Sequence, residues 1–158
     1  MPANLTTTWA EYDSAVQNIL ALSSRSLCIF DENLIALKLE RADRLALLRQ
    51  FLSTDPANTV HIALRNAEPL RRHCPRLMQL LAAHAHNLSI IECPPHLATL
   101  GDSLIIADQQ HAVIRFHNDH ARAKAILNDR EACAPYLQRY DQILEEGGTP
   151  VSATTLGL

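Results

Sequence analysis

His117, Asn118, Asp119 and His120 form the densest run of potential metal ligands in the sequence, and His84 with His86 is the next. Zinc takes three or four ligands brought together and oriented by further hydrogen bonds. Neighbouring histidines in a loop are usually plain polar residues, so no metal is expected. His84 falls on the apolar face of a helical stretch, where a hydrogen-bonded core histidine is the expectation; His86 is expected at the surface. Cys93, His96 and Asp102 are close enough in sequence for a thiol–imidazole–carboxylate relay. No glycine-rich turn accompanies Cys93 to receive an oxyanion, so a buried small residue is the plainer reading. Asp31, Arg65 and Asp108 each follow an apolar run. In open α/β sheets ligands collect beyond the carboxyl ends of strands. These three are therefore the candidate ligand-binding residues, sharing one crevice in which Arg65 would take an anion. The competing reading is that they cap strands and pair with one another. The sequence holds four glycines, two of them adjacent near the C-terminus. That excludes the glycine-rich phosphate loops of nucleotide binders, and no cofactor is expected.

The elements that position these residues follow from hydrophobic periodicity. Thr8 and Glu11 fit a capping box. The helix that follows places Trp9, Tyr12, Val16, Ile19 and Leu20 along one stripe. Leu27 to Phe30 is a strand closed by Asp31; Asn33 to Leu39 is either a second short strand or a loop. Glu40 to Leu52 is helical, with Leu45, Leu48 and Leu52 inward and Arg41, Arg44 and Arg49 outward. Thr59 to Leu64 and Leu88 to Ile91 are strands. The helical stretch between them must kink or split at Pro75, which has no N–H to donate. Ser103 to Ala107 is an unbroken apolar run that suits a strand covered on both faces, with Ile105 and Ile106 buried toward opposite layers. A break at Gln109 and Gln110 leads into His111 to His117. Ala112, Ile114 and Phe116 alternate there with Val113, Arg115 and the two histidines, as in a half-buried strand. Ala123 to Leu127 is a short strand, and Asp129 to Glu145 a helix.

Strands alternating with helices over the first hundred residues imply crossover connections. The predicted fold is α/β, a mixed, mostly parallel sheet with helices on both faces. Residues 1–24 read as an N-terminal helical extension, 25–146 as the α/β domain, and 147–158, rich in Gly, Thr and Ser, as a disordered tail.

With 158 residues, 47% of them hydrophobic and 20% charged, the composition is that of one globular domain. The net charge of −3 argues against a nucleic-acid partner, because such proteins usually present a basic face. No apolar run approaches the roughly 18–20 residues of a membrane span, and the start of the sequence lacks the basic-then-apolar pattern of a secretory signal. Cys28, Cys74, Cys93 and Cys133 are scattered without a CxxC pair. They read as free thiols in a reducing cytoplasm.

The segment from Gly101 to Glu146 resembles the second part of a phospholipase D-like half domain. In that family an active-site strand carries His, any residue, Lys, four residues and then Asp. A hairpin strand, an Asn-x-Glu-like segment and a closing helix follow. Asp108 stands where the motif's Asp would be, which puts Ser103 at the Lys position and Gly101 at the His position. Asn128-Asp129-Arg130-Glu131 and the helix behind it resemble the family's ending. The sequence is also similar to proteobacterial domains that occur alone or beside acetyltransferase domains. The resemblance implies a phospholipase D-like fold over about residues 25–146. It also implies a pseudoenzyme, since Gly101 and Ser103 supply neither a nucleophilic imidazole nor a cation for phosphoryl oxygens. Half domains of the family are expected to pair, so a homodimer is implied, and an acetyltransferase domain is a conceivable protein partner.

Overall fold

The computed structural model describes residues 4–153, which build one eight-stranded sheet. In chain order the strands are β1 (Asn4–Thr6), β2 (Ser26–Asp31), β3 (Thr59–Leu64), β4 (Leu88–Glu92), β5 (Ser103–Ala107), β6 (His111–Arg115), β7 (Ala123–Ile126) and β8 (Thr149–Pro150). The helices are α1 (Trp9–Leu22), α2 (Ala42–Thr54), α3 (Leu70–His73), α4 (Pro75–Ala83) and α5 (Arg130–Glu145). Across the sheet the strands lie in the order β1-β7-β6-β5-β2-β3-β4-β8.

Only β2–β3 and β3–β4 are parallel; the other five pairings are antiparallel. The expectation of a mostly parallel sheet is thus corrected. Parallel neighbours need a crossover helix, and α2, α3 and α4 supply it only between β2 and β4. After β4 the chain makes a single 3-10 turn over Pro95–Thr99 and re-enters the sheet beside β2, running the other way. Asp108 and Gln109, at φ 56° and 60°, then make the hairpin into β6.

Helices cover both faces. Under α1, α2 and α4, residues such as Val16, Ile19, Leu45, Leu48, Leu77 and Ile105 form the larger core. On the other face α5 packs Cys133, Tyr140 and Ile143 against Phe30, Leu104, Ile106 and Ile114. Ile105 and Ile106 therefore point to opposite layers, each 1% exposed. The capping box at Thr8 and Glu11 is formed, and Asp129 caps α5 by accepting from the Ala132 N–H. The stretch after β3 splits at Pro75, with α3 ending at His73 and α4 starting at the proline itself.

Other expectations are revised. Residues 33–39 form turns, with Leu34, Leu37 and Leu39 buried beneath them. Arg44, placed outward by helical periodicity, has no exposed surface. Its guanidinium donates to the Leu37 carbonyl, the Asp13 carbonyl and carboxylate, and Gln17 Oε1. β6 is buried at every position, because α1 lies over the side that carries Val113 and Arg115. The first 24 residues are not an appendage among those described: β1 is an edge strand on β7, and α1 covers the sheet. The tail was expected to be disordered from residue 147. Instead β8 pairs with β4, because the open edge of β4 offers it main-chain partners; residues 154–158 lie outside those described.

Candidate functional site

Strand direction decides what meets what. The carboxyl ends of β2 and β3 lie at the same end of the sheet as the amino end of β5 and the carboxyl end of β6. Asp31 closes β2 there at 1% exposure. Its Oδ1 accepts from Ser103 Oγ at 2.5 Å and from Arg115 Nη2 at 3.4 Å, and its Oδ2 accepts from the Leu34 and Asn33 N–H groups. Arg115 Nη2 also reaches Ser103 Oγ, and Nη1 donates to the His117 carbonyl. The Arg115 guanidinium lies 5.1 Å from the centre of the Tyr12 ring and 5.5 Å from that of Trp9. Burial in this setting pushes the Tyr12 hydroxyl up to about 12, so it stays a neutral phenol. Arg65, at the end of β3, donates to the Asp102 carbonyl at 2.6 Å and stacks over Phe30; its Nη2 is buried without a partner. Arg139 of α5 holds both carboxylate oxygens of Asp102 at 2.8 Å.

Gly101 sits beside this cluster. A Cβ there would lie 2.9 Å from His117 Cδ2, 3.3 Å from its Nε2 and 3.5 Å from Asn118 Oδ1. The His117 ring thus occupies the space beside Gly101. Its Nδ1 accepts from the Asp119 N–H, so in the neutral ring the proton is on Nε2 and no lone pair faces Gly101.

Of the three candidate ligand residues, Asp31 and Arg65 share one end of the sheet and Asp108 lies at the other. β5 runs antiparallel to β2, so its carboxyl end faces the start of β2. The Asp108 carboxylate accepts from the N–H groups of Ser24, Arg25 and Ser26 and from Ser24 Oγ. Burial would raise its pKa, but these four donors outweigh burial and hold it below the usual carboxylate value. A depressed pKa contributes stability above the unfolded value of about 3.9, which is lost as pH falls through the folded value. Asp108→Asn is therefore expected to cost about 1–3 kcal/mol at pH 7. Guanidinium titrations should show that gap closing as pH falls below about 4. A gap that is the same at pH 7 and pH 3 would show that the carboxylate's charge is not what those donors hold.

The remaining constellations stay apart. Cys93 is buried; burial pushes its thiol up and Arg65 pulls it partly back. His96 bonds Glu146 and Asp102 bonds Arg139, so no relay joins them to Cys93. His84 is half-buried with Nδ1 unpartnered, contrary to the expected hydrogen bond, since it caps the end of α4 where the chain turns away; His86 is exposed. Among the described residues no group of three His, Cys, Asp or Glu side chains is placed to hold a metal ion. No helix among them is long and apolar enough to cross a membrane. Ser103 and Arg115 are the site residues that the sequence reading did not assign. The signal was present: a charged residue inside an otherwise apolar strand requires a buried counter-charge.

A family model described as a domain of unknown function, DUF7931, matches residues 8–152. The chain belongs to the DUF7931 family. No curated protein sequence matches the chain. Among solved structures it is similar to Nuc from Salmonella typhimurium, a phospholipase D family member. That match has a TM-score of 0.65 at 11% identity and covers 96% of this DUF7931 chain and 99% of Nuc. NucT from Helicobacter pylori matches at 0.57 and 12%, covering 96% and 98%. TrmBL2, an archaeal chromatin protein described as having a novel mode of DNA binding, matches at 0.68 and 13% over 96% of this chain; the chain spans about half of TrmBL2, 54%. The fold of this family member is phospholipase D-like, a single mixed, mostly antiparallel sheet between helices.

Proposed function

We propose that this chain is a non-catalytic phospholipase D-like domain that acts by association with a second copy of itself. The observation that carries this reading is the closed state of the end of β5. Asp31, Ser103 and Arg115 are each 1% exposed and bond one another, and Arg115 Nε is buried beside them without a partner. The hydroxyl at the motif's Lys position is committed to a carboxylate, and Arg115 beside it faces that same carboxylate. Gly101 carries no side chain, and the His117 ring beside it takes the Asp119 N–H on its Nδ1. The imidazole and the Lys of the family's motif are both missing, because Gly101 and Ser103 stand in their places.

Association is supported by an open groove of about 670 Å³ beside the closed site. Trp9 and Phe116 line it at 48% and 44% exposure, with Ala121 between polar neighbours. Tyr12, the other aromatic of α1, is committed to the interior, so Trp9 is the aromatic of that helix left for a partner. Free cysteines at four positions fit a reducing compartment.

Sedimentation at micromolar concentration is expected to give about twice the 17.6 kDa chain mass. Phe116→Asp should return the monomer. The same protein should not turn over bis-p-nitrophenyl phosphate. A monomer throughout that range would remove the association reading, and turnover lost on Asp31→Asn would remove the non-catalytic one.

A second reading, ligand or anion binding or hydrolysis in the strand-end crevice around Arg65 and Asp108, draws on the unpartnered Nη2 of Arg65. Two facts weigh against it: that atom is shut off from solvent, and Asp108 is at the opposite end of the sheet.

A further inference from the structure

The sheet ends on its β4 side in a short segment whose Val151 and Ala153 pack on the margin of the larger core. β8 gives only two ladder positions, Thr149 opposite Glu92 and Pro150 opposite Ile91. The Val151 N–H donates to the Ile90 carbonyl at 2.8 Å, and Arg71 Nη2 reaches the Ser152 carbonyl. Pro150 has no N–H to add. The segment is joined to α5 by Gly147 and Gly148, both at positive φ. A Cβ on Gly148 would lie 2.6 Å from the Glu92 carbonyl oxygen, so only glycine lets the segment close onto β4.

Between this segment and the body of the protein runs an open, largely apolar groove of about 510 Å³. Leu81, Ala85, Leu88 and Ile90 line its body side, and Val151 and Ala153 line the other. Among the described residues the groove is open with the segment in place.

We propose that the β4 edge is a docking site for an extended, apolar strand of a partner protein, and that Thr149–Ala153 is a built-in occupant which that strand displaces. The main-chain template is demonstrated by the occupant itself, which already pairs antiparallel with β4. The ladder is short and the hinge is a pair of glycines. The unfilled groove rewards larger side chains at the Val151 and Ala153 places. This is strand addition to a sheet edge, with main-chain bonds giving affinity and alternate side chains giving selectivity. The reading is independent of the association surface at Trp9 and Phe116, which lies at the far edge of the sheet.

The test fixes the segment reversibly. The ladder bond falls on Ile90 and Val151, so Ile91 and Pro150 form a non-hydrogen-bonded pair. Such pairs bring Cα atoms to about 4.5 Å, within reach of a disulfide. The probe is a fluorescein-labelled peptide, Thr-Pro-Leu-Ser-Leu-Thr, which keeps the segment's register and enlarges the two groove positions. The wild-type chain and the reduced Ile91→Cys/Pro150→Cys variant should both give a saturable rise in anisotropy. The oxidised variant should bind at least about tenfold more weakly and recover on reduction. As a second arm, Ala82→Glu places a charge on an exposed wall of the groove and should weaken peptide binding in a chain with no new cysteine. Equal affinity in the oxidised and reduced forms, or no saturable binding to the wild-type chain, overturns the proposal and leaves the segment as a permanent guard of the edge.

Discussion

Asp31→Ala is expected to lose about 3–5 kcal/mol of stability, because removing one member of a buried ion pair leaves the other charge unpaired. Arg115 has 1% of its surface exposed and no other carboxylate bonded to it. The Leu34 and Asn33 N–H groups would lose their acceptor at the same time. Urea titration should show the midpoint falling with little change in slope. The double variant Asp31→Leu/Arg115→Met should recover much of the loss, since an apolar pair of similar volume avoids the desolvation cost altogether. A single-variant loss under about 1 kcal/mol would mean that water reaches this end of the sheet. The closed-site argument for an inactive domain would then fail.

Truncating Ile105 or Ile106 to Ala should each cost about 2–5 kcal/mol, with Ile105 toward the upper end. Both are 1% exposed. They differ in what lies above them. Ile105 faces a layer built from α1, α2 and α4, where several elements hold one another in place and a cavity stays open. Ile106 faces α5 alone, a single helix that can settle into the space. The size of the penalty depends on that ability to collapse. If Ile106→Ala proves the costlier of the two, the α5 layer is the more rigid, and the division of the core drawn above is wrong.

Much of the fold was legible because periodicity reports burial within one element. The capping box at Thr8, the strands ending at Asp31 and Leu64, and the split at Pro75 all follow from local rules. Strand direction does not. It depends on the connection, and nothing in the run from Ser103 to Ala107 says that it re-enters beside β2 instead of beyond β4. That single unknown misplaced Asp108 relative to Asp31 and Arg65, and with it a third of the candidate site. Arg44 was assigned outward by periodicity, and Arg115 was grouped with Val113 and the histidines on one side of a half-buried strand. Both are buried because distant groups meet them: Asp13, Gln17 and the Leu37 carbonyl for one, Asp31 and Ser103 for the other. A pairwise match across 84 positions, as between Asp31 and Arg115, leaves no local trace. The β8 segment was lost for a different reason. Gly and Pro are depleted in strands, and an open edge next door overrides that preference.

The pairing of β1 with β7 sets the order in which the molecule can be assembled. Thr6 Oγ1 donates to the Ala121 carbonyl across 115 positions, and Asn4 lies opposite Ala125. The first strand of the sequence therefore has no neighbour until nearly the whole chain has been made, whereas β2, β3 and β4 and the helices between them are complete by residue 92. Closing a loop of that length costs more entropy than any other step in the sheet, and folds built on such distant pairings form slowly. During that interval α1 can rest on α2 and β5, while β1 still waits for β7.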